Sequence, residues 1–180
     1  MSVQQTKITK FCSFYVSDWH MVTMLLPYIN KKMNEQTKIV TILEKGIEQN
    51  IKTLVNKLNL KNKEKILQLD WTSCNGKKYT AVSKKIESVG KGDILIIVNG
   101  EKNFIDKVNI HIQTYLNKKK EMTGEIKIVD CYDVIEFNDS IQEILEEHDK
   151  ILNTSGEKEI EEVFEGFERR TEEVKQEKIG

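Results

Sequence analysis

Arginine is almost missing from this chain: Arg169 and Arg170, both near the carboxyl end, are the only two. Every base before residue 157 is lysine. Planar, two-pronged recognition of guanine or phosphate favours arginine, so the body is poorly equipped for specific nucleic-acid reading. Cysteine is scarce, with Cys12, Cys74 and Cys131 far apart and no Cys-x-x-Cys spacing. That argues against a zinc knuckle or a redox pair. His20, His111 and His148 are equally scattered and set out no metal-ligand spacing. Proline occurs once, and the nine glycines form neither Gly-x-Gly-x-x-Gly nor a phosphate loop ending in Lys-Ser/Thr. The cradle that nucleotide phosphates need is therefore absent. There is no Gly-x-Ser-x-Gly nucleophile elbow either. No apolar run approaches the roughly 18–20 residues that span a bilayer, and Met1 to Lys10 lacks the apolar core of a signal peptide. A cytoplasmic location with reduced thiols is expected, with no membrane contact, no metal and no cofactor.

What is present is a highly charged composition, 38% hydrophobic and 32% charged over 180 residues, with a net charge of −1. This length suits one domain with at most an appendage. The charge is unevenly spread. Residues 157–180 hold nine Glu against five Lys or Arg, a net of −4, and residues 1–156 hold 20 acids and 23 bases, a net of +3. Thr154-Ser155-Gly156 is the best linker candidate, dividing a body (1–153) from an acidic tail (154–180). The tail's Ile160, Val163, Phe164, Phe167 and Val174 read as one face of an amphipathic helix over about 157–178. Such a helix could dock on the body, join a second copy in a homodimer, or meet a partner; docking on the body is the favoured reading.

The body alternates short apolar runs with helical patterns. Strands are expected at Phe11 to Val16, Lys38 to Leu43, Lys65 to Leu69, Asp93 to Val98 and Glu125 to Asp130. The run at Asp93 to Val98 is apolar on both faces, as central parallel strands are. Between them lie helical stripes: Met21 to Met33 (N-capped by Asp18, with Pro27 interrupting a hydrogen bond or kinking it), Ile47 to Leu58, about Lys78 to Val89, Phe104 to Leu116, and a helix from Asn138 or Asp139. The alternation predicts a three-layer α/β/α fold around a mainly parallel sheet of five or six strands, plus the carboxyl-terminal amphipathic helix.

In such a sheet, residues just past the strands converge on one edge, where open α/β sheets hold ligands. Tyr15, Asp18, Trp71, Glu101, Tyr132 and Asp133 all fall there. Aromatic rings with a few acids suit a small organic ligand. The plainer reading makes these acids helix caps and turn formers, and the two weigh about equally for Glu101 and Asp133. A small enzyme is a further possibility, with Cys131 as nucleophile and His148 as its base. More often such a cysteine is a small buried residue.

Four segments carry a resemblance. Cys12 and Tyr15 match an opening His-x-Cys-x-x-Tyr strand in which Lys10 replaces the His. Leu26-Pro27-Tyr28 matches a Pro-aromatic pair in the first helix. Asn99-Gly100-Glu101 matches a Gly-Glu step. Cys131-Tyr132-Asp133, Phe137, Leu145 and His148 match a closing Cys-x-Tyr-Asp run, although Tyr follows Cys directly here and His148-Asp149 replaces His-Pro. In these respects residues 8 to 152 resemble the MEDS family, sensory domains named for methanogens, methylotrophs and a dichloromethane-responsive repressor. The stretch from Trp71 to Gly92 is shorter than the family's. The resemblance implies a RecA-like fold without a working phosphate loop and a non-enzymatic sensor of small organic, hydrocarbon-derived molecules. Its output would pass to a partner such as a histidine kinase, an anti-sigma-type regulator or a transcription factor.

Overall fold

The computed structural model describes residues 7–74, 80–119 and 124–169. In chain order these form β1 (Ile8–Tyr15), α1 (Asp18–Asn34), β2 (Lys38–Leu43), α2 (Glu48–Val55), α3 (Lys63–Leu67), α4 (Thr80–Ser88), β3 (Ile94–Asn99), α5 (Lys102–Lys118) and β4 (Ile126–Asp133). A 3₁₀ turn, Val134–Glu136, then leads into α6 (Phe137–Glu146), β5 (Lys150–Asn153), β6 (Gly156–Glu159) and α7 (Ile160–Val163). The strands make one six-stranded sheet in the order β2-β3-β4-β1-β5-β6. All neighbours run parallel except β5 and β6. The expected α/β fold with helices on both sides of a mainly parallel sheet is the observed one. No helix among the described residues is long and apolar enough to cross a membrane.

Side-chain alternation along the strands divides the core in two. One face holds Phe11, Tyr15, Leu95, Ile97, Val129 and Cys131 under α1, α2 and α3. The other holds Cys12, Ile96, Val98, Ile128 and Tyr132 under α4, α5, α6 and α7. β3 is buried along its whole length, as its unbroken apolar run demands. α1 starts at Ser17, whose hydroxyl accepts the His20 amide at 3.1 Å; Asp18 is the first helical residue and Ser17 the cap. Pro27 sits on the exposed side of α1 and the helix runs through it. The lost Thr23 carbonyl partner faces water, where it costs little.

Two elements differ from expectation. Lys65 to Leu69 is not a strand; Lys63–Leu67 is a short helix. Ile66 is its only buried residue, Leu69 packs at the core's margin and Leu67 is exposed. Ile66 and Leu69 stand three apart, which is helical rather than strand spacing. The outer edge of β2 is blunted instead by the segment that follows. The Cys74 amide donates to the Leu43 carbonyl at 2.7 Å, and the Thr41 and Ser73 hydroxyls donate to the Asp70 and Glu44 carbonyls. Lys85 adds a bond to the Thr41 carbonyl at 2.7 Å. Such cover removes an open pairing edge.

The second difference is the tail. The helix expected over 157–178 begins as a strand, because Gly156 takes a positive φ of 103° and turns the chain back along β5. Thr154-Ser155 is therefore the tip of a hairpin within the sheet. Only Ile160–Val163 is helical among the described tail residues. Phe164 and Phe167 then pack on the second core. Arg169 donates to the Glu146 and His148 carbonyls at 2.9 and 2.6 Å, capping the end of α6 with a cation that suits its dipole. Val174 lies outside the described residues, as do Lys78 and Tyr79 of the expected third helix.

Candidate functional site

β1 and β4 are neighbours whose continuations leave on opposite faces: α1 covers the first core and α6 the second. That makes their carboxyl ends a topological switch point, the place where open α/β sheets leave a crevice. The last register pair of the two strands is Tyr15 with Asp133. Both side chains project toward the α1 face, side by side, under the start of the helix that carries Asp18.

Tyr15 is only 9% exposed. Its hydroxyl makes no hydrogen bond among the described residues, yet no fully enclosed side-chain polar atom lacks a partner. The hydroxyl therefore reaches solvent at this edge. Burial raises its pKa, and the neighbouring Cys131, Asp133, Asp18 and Glu44 raise it further, so the hydroxyl stays protonated. Asp133 spends one carboxylate oxygen on the Ile135 amide at 3.1 Å. Asp18 pairs with Lys45 at 3.0 Å.

The adjacent pair, β2 and β3, also sends its continuations to opposite faces, and its strand ends join the same edge. Buried Asn99 accepts the Glu44 amide at 3.1 Å through its side chain. Glu44 in turn accepts the Glu101 amide at 2.9 Å. Gly100 between them, at φ 149°, lets this approach happen. Glu101 is thus the cap residue of α5 in sequence position, while its own carboxylate makes no cap bond. Glu44 and Lys45 were missed in the sequence, and Asn99 stood out there only as part of the Gly-Glu step. The same strand-end rule that selected Glu101 applies to them, since Glu44 directly follows β2.

The loop between β1 and α1 is held by its own hydrogen bonds. The Val16 amide donates to His20 Nδ1 at 3.0 Å, the His20 amide is taken by Ser17, and Met21 donates to the Ser17 carbonyl at 3.0 Å. Three amides of this segment, those of Val16, His20 and Met21, are thus satisfied by the chain itself. Around this edge stand apolar side chains in water: Val16 (67% exposed), Trp19 (49%) and Ile135 (73%).

The remaining selected residues lie elsewhere. Trp71 is buried in the first core, its indole N–H donated to the Ile66 carbonyl at 2.8 Å. Tyr132 faces the second core, its ring 5.9 Å from those of both Phe14 and His148. Burial and the charge of Asp130 raise its pKa. So Tyr15, Asp18 and Asp133 come together with Glu101 beside them through Glu44, and Trp71 and Tyr132 do not join them.

Cys131 and His148 are separated by the sheet. Cys131 is buried on the first face, and burial followed by the Asp130 charge pushes its thiol up, away from nucleophilic thiolate. His148 belongs to the second face. Its Nε2 lies 2.8 Å from Asp130 Oδ2 and its Nδ1 2.5 Å from the Ile144 carbonyl. A carbonyl has no proton to give, so Nδ1 carries one. Asn109 donates to the other Asp130 oxygen at 2.9 Å. This is a satisfied buried network that ties β4 to α5 and α6, and it leaves no base for Cys131. Among the described residues no three His, Cys, Asp or Glu side chains converge on a metal-sized site.

Compared with family models, curated proteins and solved structures, the chain matches none. The functional reading therefore rests on the chemistry of the edge itself.

Proposed function

We propose that this chain is a non-enzymatic, cytoplasmic sensing domain. A small organic ligand binds at the carboxyl edge of the sheet, between the ends of β1 and β4, and the signal passes to a regulatory protein partner. The observation that carries the reading is the buried Tyr15 ring, whose hydroxyl has no protein partner among the described residues and lies at the switch-point edge beside Asp133 and Asp18. A sensor of the kind named by the resemblance would use such an edge, and the partner classes it implies (histidine kinase, anti-sigma-type regulator, transcription factor) belong to the same proposal. Ligand binding shifts the population of edge-loop arrangements, and the docked tail reads that shift.

A native mass spectrum of protein purified gently from its own host tests this first. A bound small molecule supports the sensor and identifies its ligand. Glu101→Ala should then weaken ligand response several-fold while leaving the melting temperature unchanged. Loss of the fold in that variant would make Glu101 structural and remove it from the site.

A second reading, an adaptor that holds a partner and no ligand, draws on exposed Val16, Trp19 and Ile135. A clean unliganded mass with a co-purified protein would favour it.

A further inference from the structure

We infer that the ligand of this edge is a small organic cation, an ammonium group on a short apolar body; the inference rests on the sensing reading above and narrows it. The charges of Asp133, Asp18 and Glu44 act on the Tyr15 hydroxyl, the Glu101 amide donates to Glu44, and Lys45 pairs with Asp18. An acidic cluster alone is no site, since acids at strand ends often serve as turn formers. Here a second observation stands beside it. Tyr15 is nine-tenths buried and its hydroxyl has no partner among the described residues. A buried side chain that leaves its polar atom unbonded at a crevice leaves room for a ligand atom there.

The alternatives are narrowed by the same geometry. An anion would meet the carboxylates of Asp133, Asp18 and Glu44, whose charges already act on the Tyr15 hydroxyl. A bare metal ion needs three or more donors on one small sphere, and the described residues offer no such group. Carboxylates that do not converge on one small sphere suit a larger, softer cation. Trp19, half-exposed beside this edge, is an aromatic that a cation can meet, and Val16 and Ile135 offer apolar contact to its body.

Lys45 supplies a precedent within the chain. Its ammonium, on a side chain 72% exposed, sits 3.0 Å from Asp18. An exposed pair of this kind is worth little, so a ligand ammonium can take its place at small cost. Lys45 is then a tethered competitor for the site it marks.

The test uses the full chain and three four-carbon probes of equal size, n-butylammonium, butan-1-ol and butyrate, titrated at constant ionic strength and followed by amide shifts. Butylammonium should saturate, moving the amides of Val16 to His20, Glu44, Lys45 and Asp133 to Ile135. Butanol and butyrate should bind at least about tenfold more weakly. Asp133→Asn should weaken butylammonium about tenfold, and Tyr15→Phe about threefold with an unchanged melting temperature, because that hydroxyl has no protein partner among the described residues. Lys45→Gln should tighten binding about threefold by removing the competitor. Weaker binding in Lys45→Gln would overturn the inference. Butyrate or butanol taking the edge in preference to butylammonium would overturn the cation class while leaving the ligand site standing. If all three probes leave the edge amides unmoved, the cation inference falls and the edge site falls with it.

Discussion

At the scale of single residues, charge placement decides more than charge number. Glu157 shows this. Tyr28 donates to its Oε2 at 2.7 Å and Lys127 at 2.9 Å, and Lys32 stands 3.3 Å from the same oxygen. Burial works to raise its pKa, but these three groups outweigh it and hold the carboxyl at about 2, against an ordinary 4.5. A pKa depressed in the folded state means stability that is present above the unfolded value and lost as pH falls through the folded one. Glu157→Gln should therefore cost about 1–2 kcal/mol at pH 7, reduced for partial exposure. The gap between parent and variant should shrink as pH falls below 4.5 and close near 2. Urea titrations at pH 7, 4 and 3 measure it; a gap that stays constant over that range would show that the carboxylate's charge contributes nothing. Lys32, nearly buried, survives among these groups because Glu35 at 3.1 Å and Glu157 share it.

At the scale of elements, the connection from β3 to α5 is the tightest part of the proposed site. A Cβ added at Gly100 would stand 2.8 Å from Glu44 Cβ and from Phe104 Cδ1, at a φ of 149° that side chains rarely adopt. Gly100→Ala should cost about 1–3 kcal/mol and should break the Glu44 bond to the Glu101 amide. Thermal unfolding gives the first quantity and the Glu101 amide shift the second; a variant with that shift unmoved would refute the steric account. This glycine was legible in the sequence as the Gly of a strand-end Gly-Glu step, although its cause, the approach of Glu44, was not. The same division holds elsewhere. Ile94 to Val98 reads as a central strand because it is apolar at every position, and no other element tolerates that so well. Lys65 to Leu69 misled because five residues with three apolar side chains fit a strand or one helical turn equally, and only the cover over β2 decides. The tail misled for a related reason: Ile160, Phe164 and Phe167 do face inward as a helical stripe would place them, but from a hairpin and a loop. Trp71 and Tyr132 were selected as strand-end aromatics, and sequence spacing alone could not say which face of the sheet each would meet.

At the scale of the whole molecule, the proposed site lies where the two cores meet, which matters for how a binding event could be felt at a distance. Phe14 neighbours Tyr15 on β1 but points into the other core, where its ring lies 6.1 Å from Phe164 and 5.9 Å from Tyr132. Tyr132 packs edge-on against His148 at 5.9 Å, and the His148 carbonyl accepts Arg169. The edge is thus joined to the tail through side chains already in contact. Contiguity is not coupling, however, since a signal requires two arrangements whose balance the ligand changes. Hydrogen exchange separates the two cases. A ligand that only fills the crevice should slow exchange at Val16 to His20 and Asp133 to Ile135 and nowhere else. A ligand that shifts a global equilibrium should also slow exchange in Ile160 to Arg169, on the far side of the sheet from the Tyr15 hydroxyl, by a factor that saturates at the same ligand concentration. Protection confined to the edge would make this chain a binding module whose tail plays no part in its output. Protection at both ends would make the tail, held by Phe164, Phe167 and Arg169, the element that carries the signal.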